Sequence, residues 1–76
     1  METTLNKLEE NKKARIVAIR GLGIVHRRLL DMGLVKGALI EVKKVAPLGD
    51  PIEVKIKGYN LSLRKKEAAS ITVDVI

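Results

Sequence analysis

The sequence lacks cysteine entirely and is almost free of aromatic residues. Without cysteine the chain can form neither a disulfide bond nor a thiolate metal site, which fits a reducing compartment. Tyr59 is the only aromatic residue, so valine, isoleucine and leucine must build the core. The chain also lacks an apolar run near the roughly 20 residues of a membrane-spanning helix. Met1–Arg15 contains no apolar segment typical of a secretory signal. We therefore expect a soluble, cytoplasmic protein.

The length and composition predict a single small globular domain. The 76 residues are too few for two domains, and a hydrophobic content of 46% is enough to form a core. The formal net charge is +6, from 15 basic and 9 acidic residues. This charge makes nucleic acid, acidic protein surfaces and anionic lipid the candidate partners. Because the basic residues are spread along the chain, we interpret most of them as solvated surface positions.

Short amphipathic segments predict a mainly β, small α+β fold. Residues 1–13 form a polar lead-in whose leucines would dock on the core, and a turn at Gly58-Tyr59-Asn60 would join the third and fourth strands. A bulge is expected at Lys44-Val45, where the alternation changes phase. The pattern favours a five-stranded antiparallel barrel, because a chain this small cannot stack two broad sheets. One helix lies between strands 1 and 2, and a short helical turn precedes the last strand. The five predicted strands are Ala14–Arg20, 37–45, Pro51–Lys57, Leu61–Leu63 and Ile71–Ile76.

The helix is predicted over Ile24–Met32 because apolar residues recur there at i, i+4 and i+7. Gly33 follows the last periodic residue, where glycine adopts a left-handed helix cap without a Cβ clash. Leu34 takes the apolar position that usually completes such a cap. After a tight corner, Gly37 begins the next strand. The apolar face of the helix consists of Val25, Leu29 and Met32.

No residue pattern indicates catalysis or a bound cofactor. Gly21-Leu22-Gly23 resembles the opening of a dinucleotide-binding fingerprint, but His26 stands where its third glycine should be. His26 is the only histidine, and helical geometry turns Asp31 away from it. A surface histidine is therefore favoured over a metal ligand, and a weak or shared divalent-metal site through His26 stays open as an alternative.

Nucleic-acid binding is the alternative function from a different class. Small basic barrels can bind nucleic acid, but proteins that bind single strands normally stack bases on aromatic side chains above a charged groove. Only Tyr59 could serve here, and it is predicted to lie in a turn. The charge permits such binding, whereas the lack of rings argues against it.

Three ordered motifs resemble the FeoA family. The first runs from Arg27-Arg28-Leu29-Leu30-Asp31-Met32-Gly33-Leu34 through Gly37 to Ile40-Glu41-Val42. The second is Pro47-Leu48-Gly49-Asp50-Pro51-Ile52, and the third is Leu61-Ser62-Leu63-Arg64 followed by Glu67-Ala68 and Ile71-Thr72-Val73. Together they extend over roughly residues 5 to 76, and three motifs in order are far more specific than any one alone.

The resemblance implies a fold, a compartment and a partner. FeoA-like proteins adopt an SH3-like barrel with an inserted helix and are small cytoplasmic accessories of ferrous iron uptake. The family implies action on the FeoB membrane transporter, which carries a cytoplasmic GTPase domain. We therefore expect protein–protein contact with that transporter and contact with the membrane only through it. The oligomeric state stays open.

The helix and its exit corner are the predicted docking surface. A protein with no cysteine and one histidine is poorly equipped to carry iron itself, which favours a docking or regulatory role. Core packing is the alternative interpretation for the apolar members, and it is favoured for Met32 and Leu34. Lys36 replaces the proline that the family usually has before Gly37, which predicts a less rigid corner. The candidate residues are Leu22, Arg28, Met32, Gly33, Leu34, Val35 and Gly37.

Overall fold

The computed structural model describes residues 1–21 and 23–76. Leu22 and the side chain of Val25, which the sequence analysis singled out, lie outside the described residues. The described residues form six strands and two α-helices, with a short 3₁₀ turn at Leu5–Lys7. The elements are β1 (Glu2–Thr4), β2 (Lys13–Ile19), α1 (Gly23–Asp31), β3 (Leu39–Val45), β4 (Ile52–Ile56), β5 (Tyr59–Leu63), α2 (Lys65–Ala68) and β6 (Ile71–Val75).

The six strands form one antiparallel sheet in the order β1-β6-β2-β3-β4-β5. The predicted fold class, a small mainly β domain with one helix after its first long strand, is confirmed. The expected strand number was wrong, because Glu2–Thr4 is a strand and not part of a loose lead-in. Three residues with two threonines give little sequence signal. Their backbone hydrogen bonds come from pairing with β6, where Thr3 lies opposite Val73.

One hydrophobic core lies inside the curved sheet. The alternation predicted for β4 is confirmed, since Ile52, Val54 and Ile56 are all buried while Glu53 and Lys55 are exposed. Every large core residue is aliphatic, as the lack of aromatic residues requires. Leu5 of the 3₁₀ turn is fully buried, and Leu8 packs against the core, so the two leucines of the polar lead-in do dock as predicted.

Two irregularities bend the strands. The register of β3 against β4 shifts between Val42 and Lys44, which confirms a bulge close to the predicted phase change. A second shift, between Ile16 and Ala18 of β2, has no counterpart in the sequence analysis.

The β4–β5 hairpin turns one residue earlier than predicted. Lys57 and Gly58 both have positive φ, of 51° and 85°, which is the signature of a two-residue type I′ loop. Tyr59 and Asn60 therefore belong to β5, and the predicted turn at Gly58-Tyr59-Asn60 was wrong. The physical reason is that a type I′ loop matches the twist of its flanking strands, and lysine here accepts the left-handed position that asparagine or glycine usually fills.

Among the described residues, no helix combines the length and the hydropathy that crossing a bilayer would require.

Candidate functional site

Helix α1 presents apolar side chains to solvent. Leu29 is fully buried and attaches the helix to the core, and the half-buried Met32 packs against the same core just after the helix. On the outside, Ile24 is 86% exposed and Leu30 is 42% exposed. Exposed isoleucine and leucine on a helix of nine residues make a surface that water solvates poorly.

The end of α1 is a Schellman cap centred on Gly33. The amide of Gly33 donates to the Leu30 oxygen at 2.9 Å, and the amide of Leu34 donates to the Leu29 oxygen at 3.1 Å. Gly33 has a φ of 89°, which glycine adopts without a Cβ clash. Leu34 and Leu29 are both fully buried, so the apolar contact that completes the cap is part of the core. The predicted helix stop is confirmed.

Tyr59 of β5 forms a hydrogen bond to the same end of α1. Its hydroxyl donates to the Met32 oxygen at 2.5 Å. A Cβ atom added to Gly33 would lie 2.7 Å from the Tyr59 hydroxyl oxygen. Gly33 is thus required twice, once by its φ and once by the phenol beside it. Sequence reasoning missed this contact because it assigned the ring to a turn.

A second contact joins α1 to α2. The Arg28 guanidinium lies 3.2 Å from one carboxylate oxygen of Glu67, and the other oxygen accepts the Arg64 amide at 2.9 Å. Glu67 is only 7% exposed, whereas the Arg28 side chain is 60% exposed. The Glu67 carboxylate therefore caps the first turn of α2 and also forms an ion pair with a cation on α1. The Arg28 side chain stays mostly exposed to solvent.

The corner between α1 and β3 is a β-turn fastened to β2. The Ala38 amide donates to the Val35 oxygen at 3.1 Å, and Gly37, the third residue of this turn, has a φ of 90°. This is the geometry of a type II turn, which needs positive φ at that position. Gly37 also donates to the Ile16 oxygen at 2.8 Å and accepts from the Arg15 guanidinium at 3.0 Å. The second glycine therefore sets both the direction of the chain and its attachment to the sheet.

His26 is tied to the loop before the helix. Its Nδ1 lies 3.0 Å from the Gly21 oxygen, and since a carbonyl can only accept, Nδ1 is the donor in this contact. His26 and Asp31 both line a shallow surface depression beside α1. Within the part of the chain that the structure describes, no group of three or more metal-ligating side chains occurs.

The predicted docking residues fall into three groups. Arg28, Met32, Gly33, Val35 and Gly37 lie along α1 and the corner that follows it, with Met32 and Val35 half-buried. Leu34 is fully buried, so it supports the surface from the core, and Leu22 lies outside the described residues. Sequence reasoning missed two exposed apolar side chains on α1, Ile24 and Leu30. Their positions off the apolar stripe of the helix were the available signal.

The fold and this surface define a small SH3-like domain with a helix inserted after its first long strand. The sequence model of the FeoA domain matches residues 3–75, and the chain belongs to the FeoA family.

Three relatives illustrate this membership. The chain is 43% identical over 72 residues to the Fe(2+) transport protein A/Fe(2+) transporter FeoB fusion protein of Porphyromonas gingivalis, a match that covers 95% of this chain and 8% of that protein. It is similar to the FeoA-like protein of Clostridium acetobutylicum, with a TM-score of 0.91 and 41% identity over 99% of this chain and 87% of the other. It is also similar to Stenotrophomonas maltophilia FeoA, solved with zinc and described as a prokaryotic SH3 domain protein. That match has a TM-score of 0.84 and 29% identity over 95% and 89% of the two chains.

Proposed function

We propose that the protein is a cytoplasmic, non-catalytic accessory of ferrous iron uptake that docks on the GTPase domain of a FeoB-type transporter. Family membership and the fusion of a relative to FeoB support this role, because domains joined in one chain usually act together. The chain spans 8% of that fusion protein, so transport itself belongs to other parts of the system.

The docking surface is α1 with its exit corner, and the exposed Ile24 carries this assignment. An apolar side chain that is 86% exposed on a helix gains free energy when a partner covers it. Leu30 is exposed on the same helix, Met32 and Val35 are half-buried at the corner, and Arg28 offers a charged group on α1. A standard interface covers about 800 Å² on each partner. The total accessible surface of the chain is 4910 Å². A partner must therefore contact the exposed side of α1 and the corner as well as Ile24.

Isothermal titration of the protein into the purified cytoplasmic GTPase domain tests the proposal, without nucleotide and with GDP or a non-hydrolysable GTP analogue. We expect the wild type to bind and Ile24→Asp to weaken binding by about tenfold or more, because a charge would be placed in the apolar contact. Leu48→Asp is the matched control, since Leu48 is 89% exposed in the β3–β4 loop. Absence of binding at high micromolar concentration in every nucleotide state, or equal loss in both variants, would contradict the proposal.

Direct binding of Fe(II) through His26 is a separate candidate that the same material can test. Anaerobic calorimetry of the wild type and of His26→Ala compares the heats of binding. Identical heats would remove His26 from any metal site.

A further inference from the structure

The outer face of β2, β3 and β4 carries positive charge that the proposed docking surface does not use. We call it the basic sheet face. All of its members except Arg15 line a shallow depression of about 360 Å³, and Arg15 is the cross-strand partner of Leu39. The basic sheet face consists of Lys13, Arg15, Leu39, Glu41, Lys55 and Lys57.

Strand register brings these residues together from distant parts of the sequence. Lys13 lies opposite Glu41, and Glu41 in turn lies opposite Lys55, so three charged side chains form a row across three strands. Directly opposite residues in an antiparallel sheet have Cβ atoms about 5 Å apart. Lys57 follows at the end of β4, where the hairpin turns. The positive charges are therefore close enough to act on one ligand.

The face has four basic groups and one acidic group. The carboxylate of Glu41 lies 3.6 Å from the ammonium of Lys43, a further cation on β3, so Glu41 offsets little of the charge of the face. Across residues 1–21 and 23–76, no ion pair involves any of the four basic members. Arg15 donates to the Gly37 oxygen, which is neutral.

Acidic side chains lie at the borders of this region. Asp74 of β6 is the cross-strand partner of Arg15, and it is paired with the terminal ammonium of Met1 at 2.8 Å. Glu53 lies on β4 toward the end away from the hairpin. The four basic residues of the face are thus grouped over one part of the sheet, and they give that part a positive potential.

We propose that the basic sheet face seats the domain on an anionic membrane surface. Lysine is the commonest residue of the face, whereas protein interfaces are depleted in lysine and enriched in aromatic residues. The face has no aromatic ring on which nucleic-acid bases could stack, and the only ring, Tyr59, uses its hydroxyl on Met32. Solvated lysines over an exposed strand surface suit the diffuse negative potential of anionic headgroups.

The exposed Leu39 favours a membrane over a purely ionic partner. It is 45% exposed and lies between Arg15 and the β4 side of the depression. A leucine surrounded by cations gains little beside phosphate oxygens of a nucleic acid, but it can enter the boundary between headgroups and acyl chains. The face thus combines electrostatic attraction with a small apolar contact. Four charges and one leucine give weak, reversible attachment, which suits an accessory that must also find its partner.

This inference does not depend on the docking partner, and it departs from the sequence-based expectation that the membrane is reached only through a transporter. Co-sedimentation with vesicles tests it without any transporter present. The probes are vesicles of phosphatidylcholine alone and vesicles with about one-third phosphatidylglycerol, and we expect binding to the anionic vesicles only, falling as salt rises.

Matched variants locate the contact. Each basic charge removed from the face is expected to weaken partitioning about fivefold, and the double variant Lys13→Gln/Lys55→Gln about 25-fold. Lys65→Gln/Lys66→Gln removes the same charge from exposed residues of α2, at the opposite end of the β4–β5 hairpin, and should change partitioning far less. Leu39→Ala should weaken binding severalfold, and Leu48→Ala should not. If Lys13→Gln/Lys55→Gln fails to fold, Arg15→Gln/Lys57→Asn takes its place, since asparagine tolerates the positive φ of residue 57.

Three outcomes overturn the proposal. The first is that the wild type fails to sediment with anionic vesicles at low salt. The second is that both double variants lose binding equally, which would indicate that net charge alone causes the binding. In the third, duplex oligonucleotide displaces the protein from vesicles at equal charge concentration, which would assign the face to nucleic acid.

Discussion

The Tyr59 hydroxyl donates to the main-chain oxygen of Met32 at 2.5 Å, and this bond ties the hairpin of β4 and β5 to the end of α1. The oxygen of Met32 belongs to the group of carbonyls that a helix end leaves without an intrahelical donor. The only aromatic residue of the chain therefore acts as a helix cap supplied by the sheet. It also restricts which residue can follow Met32.

Tyr59→Phe tests the strength of this link. The variant keeps the ring and removes only the donor, so we expect the free energy of unfolding to fall by about 1 kcal/mol. Urea denaturation measures the change, and hydrogen exchange should show faster opening of the α1 amides than of the β4 amides. A variant as stable as the wild type, with unchanged exchange in α1, would mean that the bond contributes nothing in solution.

Gly33→Ala and Gly37→Ala form a matched pair. Both glycines have a φ near 90°, so alanine costs about 1–2 kcal/mol at either position from backbone strain alone. Only at Gly33 would the new Cβ meet the Tyr59 hydroxyl, whereas nothing lies within 4 Å of such an atom at Gly37. Gly33→Ala should therefore be the more destabilising substitution by thermal or urea unfolding.

A double-variant cycle isolates the contact between the two residues. In the Tyr59→Phe background the added methyl group no longer meets an oxygen, so Gly33→Ala should cost about as much as Gly37→Ala. If the cost of Gly33→Ala is the same in both backgrounds, the phenol does not restrict this position.

Glu67 and Arg28 should contribute unequally to stability although they form one ion pair. Glu67→Ala removes an almost buried carboxylate that accepts from both Arg64 and Arg28, and we expect a loss of about 1–3 kcal/mol. Arg28→Ala removes a mostly exposed partner, for which solvent screening limits the loss to about 1 kcal/mol or less. Urea titrations of the two variants compare these losses, and equal losses would contradict the asymmetry.

Lys36→Pro should stabilise the corner. Lys36 is the second residue of the Val35–Ala38 turn, where a type II turn has a φ near −60° that proline already fixes. We expect a gain of about 0.4–1 kcal/mol, because proline reduces the freedom of the unfolded chain. Lys36→Ala is the control for loss of the lysine side chain. Destabilisation by proline alone would show that the corner has a different backbone geometry.

Local sequence features predicted the parts of the fold that depend on local physics. The alternation of Ile52, Val54 and Ile56 identified β4, and Gly33 marked the helix end, because side-chain period and backbone freedom are properties of short segments. The predicted location of a docking surface on α1 likewise came from residues near one another in the chain. It stays a prediction until binding is measured.

Tertiary contacts determined what the sequence could not show. The almost buried Glu67 pairs with Arg28, which is distant in sequence, and no local pattern predicts such a pair. Glu2–Thr4 forms a strand only because β6 provides its partners. Lys57 adopts a left-handed backbone conformation that is usually found at glycine or asparagine. The turn therefore lies at Lys57-Gly58, and Tyr59 lies in β5, where its hydroxyl reaches the end of α1.

The sheet order also governs how the chain can be completed during synthesis. β6 lies between β1 and β2, so of the six described strands the one synthesised after the other five fills the gap between the first two. Until Ile71–Val75 has emerged, the hydrogen-bonding groups that β1 and β2 direct toward it are left to water. Strand pairing in the sheet is therefore completed only after translation of nearly all of these residues, in a step that joins distant segments, and non-local pairing of this kind slows folding.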